Sequence, residues 1–290
     1  MRKNKKTSPI SYEEMMDRVS SLALSSSTYK KFGLYIEKHY MDLGFMSAEE
    51  VADAVGISQG SVSRFCKDLG FLGYSDFIKN LHSTFCDNIT APDRIQRNAD
   101  KKGNIHKEII DEECANLQKL LSVTESDEYS KLVKFISESQ SIHLVSSRYT
   151  STILPYATYM LSKMRDNVYM ETPGSIEFQN LIFKNKKETG ILVFSFPRYA
   201  NDLIDMIKQV KASGIKYHLI TDSRMCPMYA DAENTVILPI TTSSVFNNYG
   251  VPITFTNLLM NDVAKALPNV KKRISKIEAF EKENQIYYDK

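Results

Sequence analysis

Three short runs concentrate the side chains that could do chemistry. The first holds Ser58, Gln59, Gly60, Ser61, Ser63, Arg64 and Lys67, a set of hydroxyls, an amide and two cations. Gln and Ser can read base edges or hold phosphates, and Arg pairs with phosphate or guanine. A glycine and small neighbours let a helix start come close to a duplex. The second run is Ser146, Ser147, Arg148, Thr150 and Ser151, and the third is Ser195, Pro197, Arg198, Tyr199 and Asn201. Hydroxyls and a guanidinium beside a helix N-terminus suit a phosphate or a carboxylate. The plainer alternative is that these Ser and Thr residues only cap helices, which needs no ligand.

The elements that must carry the first run are two short helices, about Ala48–Val55 and Gln59–Leu69. Gly56 stands between them, where a left-handed turn costs least without a Cβ. Ser47 and Ser58 are placed to cap the helix that follows, and Glu50 three residues after Ser47 completes a capping box. Val51, Ala52, Val55 and Ile57 form one apolar surface, and Val62, Phe65 and Leu69 recur at helical spacing. Cys66 falls on the same inner side. This is the pattern of a helix-turn-helix with a reading helix. Further helices are expected around Met15–Leu22, around Phe32–Ile36 and over Gly73–Phe85, the last with Ser75 as cap. Together they predict an all-α helix-turn-helix domain over residues 1–86. A polar linker follows at 87–104, marked by Pro92, Gly103 and mixed charge.

Residues 105–125 read as a long amphipathic helix opening the second domain, 105–290. From about Ser130 the rhythm alternates between strands and helices. SIHLV, NVYME, GILVFSF, KYHLITD and NTVILPI read as strands. ILPYATYMLSKM, IEFQNLIFK and DLIDMIKQVKASG read as helices. Continuous apolar strands between helices predict a doubly wound α/β domain with a parallel sheet covered on both faces. Ligands in such folds bind beyond the C-terminal ends of the strands. That rule places the second and third runs at the crevice, with Thr221, Asp222 and Ser223 after a further strand. The reading assigns no element beyond Ile240.

Composition bounds the rest. The 290 residues carry a formal charge of +2. Residues 1–82 hold 11 Lys+Arg against 10 Asp+Glu, a balance of +1. Phosphate affinity therefore depends on how the cations are arranged, with the basic start MRKNKK read as a solvated terminus. No apolar run approaches the roughly 20 residues that span a bilayer. The four Cys lie far apart and the five His form no ligand pattern, so no metal and no cofactor is expected. Glu171 and Glu177 flank the Thr172-Pro173-Gly174 loop and read as solvated loop carboxylates, with acid–base work as the alternative.

The whole chain, over roughly residues 10–265, resembles the RpiR-type regulators. The resemblance rests on VADAVGISQGSVSRFCKDLGFLGYSDFIKNL, with its V-x-R-F core and LGF-x-GY tail. It implies a C-terminal sugar isomerase (SIS) domain and a cytoplasmic homodimer or homotetramer on double-stranded operator DNA. It also implies a phosphosugar effector held by a Ser-rich first loop and an S-x-S-G-x-T later loop. By position these match Ser146, Ser147 and Thr150 or Ser151, and the stretch from Ser195 to Asn201. The chain departs from that pattern at Ser146 and Arg148, at Pro197-Arg198, and at Ala200 in place of Thr. Fewer hydroxyls and more Arg favour a carboxylate-bearing or smaller phosphorylated sugar ligand, with lost binding left open. A phosphosugar isomerase with an accessory helical domain is the competing reading. An oligomeric binding module without gene control is a third.

Overall fold

The computed structural model describes residues 12–39, 43, 46–86, 94–95, 98, 103–183, 188–224, 226–240 and 242–288. The basic N-terminal cluster and most of the 87–104 linker lie outside them. The chain divides into two compact units, one reaching Glu108 and one formed chiefly by Ile109–Lys290.

The first unit is helical: α1 Tyr12–Ala23, α2 Ser27–His39, α3 Ala48–Val55, α4 Gln59–Asp68 and α5 Tyr74–Cys86. Its core gathers Met15, Val19, Phe32, Ile36, Val51, Val62, Phe65, Cys66, Leu69, Phe77 and Leu81. Phe65 meets the rings of Tyr29 and Phe32 edge-on, at 4.9 and 5.0 Å between centroids. Such pairs add about 0.5–1.5 kcal/mol beyond area burial. One expectation is corrected: Ser75 does not cap α5. The helix starts one residue earlier because Tyr74 is drawn inward, its hydroxyl donating to the carbonyls of Leu43 and Met46. The Asp76 carboxylate accepts the Leu72 N–H instead.

The second unit contains α6 Ile105–Thr124 from Ile109 onward, then α7 Asp127–Glu138, β1 Ser141–Val145, α8 Ile153–Met164, β2 Val168–Glu171, α9 Ile176–Leu181 and β3 Thr189–Ser195. There follow α10 Asn201–Ser213, β4 Tyr217–Thr221, β5 Asn234–Ile237, α11 Gly250–Ala266 and α12 Val270–Glu283. The strands form one sheet in the order β2-β1-β3-β4-β5, and every pairing is parallel. All seven residues of β3 are buried. Leu192 and Phe194 enter a core made with α7, α8 and α11, while Ile191 and Val193 enter a second core made with α9 and α10. A central strand covered on both faces shows no polar alternation, because neither face meets water. Helices α7, α11 and α12 had no counterpart in the sequence reading, and α9 ends at Leu181, short of the nine residues read as helix.

Candidate functional site

The helical pair α3–α4 is built locally, from its ends. Ser47 Oγ accepts the Glu50 N–H at 3.2 Å and the Glu50 carboxylate accepts the Ser47 N–H, closing the capping box. That backbone hydrogen bond holds the Glu50 carboxyl below its ordinary pKa. Gly56 takes the left-handed conformation, φ 69° and ψ 45°, and ends α3. Ser58 Oγ accepts the Ser61 N–H and also pairs with the Ser61 hydroxyl at 2.9 Å. These two hydroxyls therefore belong to the helix cap.

Val62, Phe65 and Cys66 of α4 face the core. Burial pushes the Cys66 thiol up to about 12, so it stays protonated. Ser58, Gln59, Gly60, Arg64 and Lys67 are exposed, and Ser61 and Ser63 are half-buried. The sequence reading missed how α4 is held at its far end. The Tyr29 hydroxyl of α2 donates to Asp68 Oδ2 at 2.6 Å. Burial, followed by this bond, pushes the Tyr29 pKa up to about 12.

In the second unit, the runs that follow β1 and β3 meet at the C-terminal ends of those two strands. The Ser146 hydroxyl is buried and donates to the Phe194 carbonyl on β3 at 2.8 Å. Ser147 donates to Asp202 Oδ1 at 2.8 Å, and the same oxygen accepts the Leu203 N–H at 2.7 Å. Arg148 Nε lies 3.6 Å from Asp202 Oδ2. The carboxylate of Asp202 thus sits at the N-terminus of α10 and ties the first loop to the second. Such a charge favours a helix N-terminus.

Thr150 shares a 2.8 Å hydrogen bond with the Tyr249 hydroxyl. Ser151 turns back to the Arg148 carbonyl. Ser195 is buried and bonds the Cys226 thiol, whose pKa burial pushes up. Asn247 Nδ2 donates to the Pro197 carbonyl. Tyr199 donates to Asp222 Oδ1 at 2.9 Å. Arg198 and Asn201 are exposed. Arg198 makes no ion pair among the described residues.

The expected hydroxyls therefore do converge, but each described one is already engaged with the protein. Asp222 stands after β4 where the strand rule places it, whereas the partners that sequence reasoning missed are Asp202, Asn247 and Tyr249. Glu113 of α6 joins them. Its Oε2 accepts from Asn248 at 2.9 Å, and its Oε1 lies where a Cβ on Gly250 would be only 2.1 Å away. Burial raises the Glu113 pKa.

Glu171 needs a correction. It is 2% exposed, not solvated, and its Oε1 is 2.9 Å from His143 Nδ1. Parallel pairing of β1 with β2 places both on one face of the sheet, and Tyr169 stacks on the His143 ring. Glu177 is exposed in the first turn of α9, as read. Among the described residues no cluster of His, Cys, Asp and Glu could hold a metal ion. No described helix is long and apolar enough to cross a membrane.

Comparison with known proteins matches this architecture in two places. Residues 23–87 match the family described as "Helix-turn-helix domain, rpiR family", and residues 135–262 match the SIS domain. The chain joins an rpiR-family helix-turn-helix to a SIS domain. Among solved structures it is similar to the sugar isomerase domain of an RpiR transcription factor from Sphaerobacter thermophilus. That likeness has 15% identity and a TM-score of 0.56, over 61% of this chain and 99% of that one. It is also similar to the Vibrio vulnificus NanR protein complexed with ManNAc-6P, with 15% identity and a TM-score of 0.56, over 95% of this chain and 100% of that one. At this identity the likeness speaks for the fold. No curated protein sequence matches the chain. In the SIS domain, the loops after β1 and β3 are those built from Ser146–Ser151 and Ser195–Asn201.

Proposed function

We propose that this protein is a DNA-binding transcriptional regulator, and that its SIS domain senses a small anionic sugar derivative. The observation that carries the reading is a capped helix-turn-helix with an exposed, carboxylate-free face from Ser58 to Lys67, on one chain with a SIS domain. Gln59, Arg64 and Lys67 offer an amide and two cations to a major groove, and the half-buried Ser63 flanks them. As a homodimer or homotetramer, the protein would set two such helices on half-sites about 34–36 Å apart.

The effector would be a phosphorylated sugar or a sugar acid. Arg198, Arg148 and the first N–H groups of α10 supply the attraction, and Asn201 stands at the rim. Ser147, Thr150, Ser151, Tyr199 and the Pro197 turn would position the ligand, with Ser146 and Ser195 shaping the floor. The described hydroxyls already have partners, which supports recognition led by guanidinium groups. No residue in these loops is assigned a base, so the proposal is for a sensor, not an isomerase.

The test has two halves. Arg64→Ala lowers affinity for a duplex selected by the wild-type protein by about tenfold, the scale of one lost Arg contact. Arg198→Ala keeps that affinity and abolishes its response to effector. The ligand screen is a thermal-shift panel of sugar phosphates and sugar acids, with ManNAc-6P, the compound in the Vibrio vulnificus NanR structure, at its head. Turnover of any panel member by the purified protein would favour the isomerase instead.

A further inference from the structure

Gly60 is the second residue of α4, and among the described residues nothing calls for a glycine there. Its φ is outside the left-handed region, so no backbone strain excludes a side chain. A Cβ built on it meets only Ser58 Oγ, at 3.9 Å, which is ordinary van der Waals contact. The other glycines of the helical elements in this unit are different. Gly56 holds a left-handed turn at φ 69°, and a Cβ on Gly33 of α2 would come within 2.6 Å of Ala23 Cβ, where α1 and α2 press together. Those two are explained by the fold.

Glycine loses more backbone entropy than alanine on entering a helix, a cost that applies to Gly60 in the first turn of α4. Among the described residues nothing compensates that cost. Gly60, Arg64 and Lys67 recur at i, i+4 and i+7, the line of α4 opposite Val62, Phe65 and Leu69. The missing side chain therefore opens the outermost line of the helix, at its N-terminal end, directly before two exposed cations.

We infer that Gly60 is a close-approach point, where the backbone of α4 lies against the edge of a base pair in the major groove of duplex DNA. The inference rests on the DNA-binding reading and adds a steric element to it. A methyl at this position holds the helix off the groove floor. Arg64 and Lys67, on long flexible stems, still reach phosphates. Sequence preference is lost while charge-driven binding survives, because phosphate contacts position a protein and base contacts specify the site.

The experiment uses the full chain and a duplex that the wild-type protein selects from a random pool, with a scrambled duplex as comparator. Affinities are read by fluorescence anisotropy, and stability by thermal melting of the same samples. Gly60→Ala is expected to melt at or above the wild-type temperature. It should bind the selected duplex about tenfold more weakly, the scale of one lost base contact, and bind the scrambled duplex unchanged. Gly60→Ser should lose more. Unchanged affinity of Gly60→Ala for the selected duplex would overturn the inference and leave the DNA-binding reading standing. Equal losses on both duplexes would overturn the base-edge assignment, and a lower melting temperature would overturn the premise that the fold tolerates a Cβ. If the wild-type protein selects no duplex at all, the DNA-binding reading itself fails.

Discussion

Replacing Asp202 with Ala gives the sharpest test of how the SIS-domain loops are held. The carboxylate accepts from the Ser147 hydroxyl at 2.8 Å and from the Leu203 N–H at 2.7 Å, and it faces Arg148 at 3.6 Å. Ser147 is only 7% exposed, so its orphaned hydroxyl loses a partner that water replaces poorly, at about 1–3 kcal/mol. Loss of a negative charge from the first turn of α10 adds about 0.3–1 kcal/mol. The Arg148 pair is solvent-exposed and contributes little. The expected cost is about 2 kcal/mol, or a fall of roughly 4–8 °C in the melting midpoint of a domain this size.

The vacated position is a helix N-terminus with a free hydroxyl and a guanidinium beside it, the setting that binds anions. Inorganic phosphate should therefore stabilise the variant more than the wild-type protein. Rescue of about 1.4 kcal/mol is expected at ten times the dissociation constant. Calorimetric melts with and without phosphate, at matched ionic strength, read both effects. A midpoint within a degree of wild type, or equal phosphate shifts in the two proteins, would refute the reasoning. Ser147→Ala in the Asp202→Ala background should cost almost nothing further, since the two groups share one interaction.

Two other perturbations concern His218 on β4 and the turn residue Gly56. His218 is 8% exposed, stacks on Phe135 at 3.7 Å, and is pushed by burial down to about 4. The unfolded chain, with its His near 6.5, takes up the proton first. Stability from this group is complete above pH 6.5, declines as pH falls from 6.5 to about 4, and levels below that, by up to about 3 kcal/mol. Urea melts across that range should show the slope, and His218→Phe should flatten it. Gly56→Ala meets no atom within 4 Å but must adopt φ 69°, so its cost is pure backbone strain of about 1–2 kcal/mol. Limited proteolysis should show the helical unit opening first while the SIS domain stays intact.

How much was legible in the sequence depended on how far apart the interacting partners are. The caps at Ser47 and Ser58, the turn at Gly56 and the inward row Val62, Phe65 and Leu69 each depend on positions no more than four residues from the next. Each was readable from spacing alone. The inner strands β1, β3 and β4 were readable because both faces of the sheet are covered there and the runs are almost continuously apolar. Helix α11 escaped because Val251, Ile253, Thr254 and Thr256 give its first turns a strand-like composition, with Pro252 among them. Asp202 and Tyr249 escaped for a different reason. Asp202 meets Ser147 from 55 residues away, and Tyr249 meets Thr150 from 99. Glu171 was misread because only the register of β1 on β2 brings it to His143. Local chemistry named the loops, and long-range pairing decided which of their groups were spoken for.

The wedging of Phe65 between Tyr29 and Phe32, with Asp68 fastened to Tyr29, has a consequence for control. A helix gripped along its inner row and pinned at its C-terminal end has no freedom to swivel on its own. Any signal that switches DNA recognition must therefore carry α1 through α5 as one solid piece, or else melt that piece.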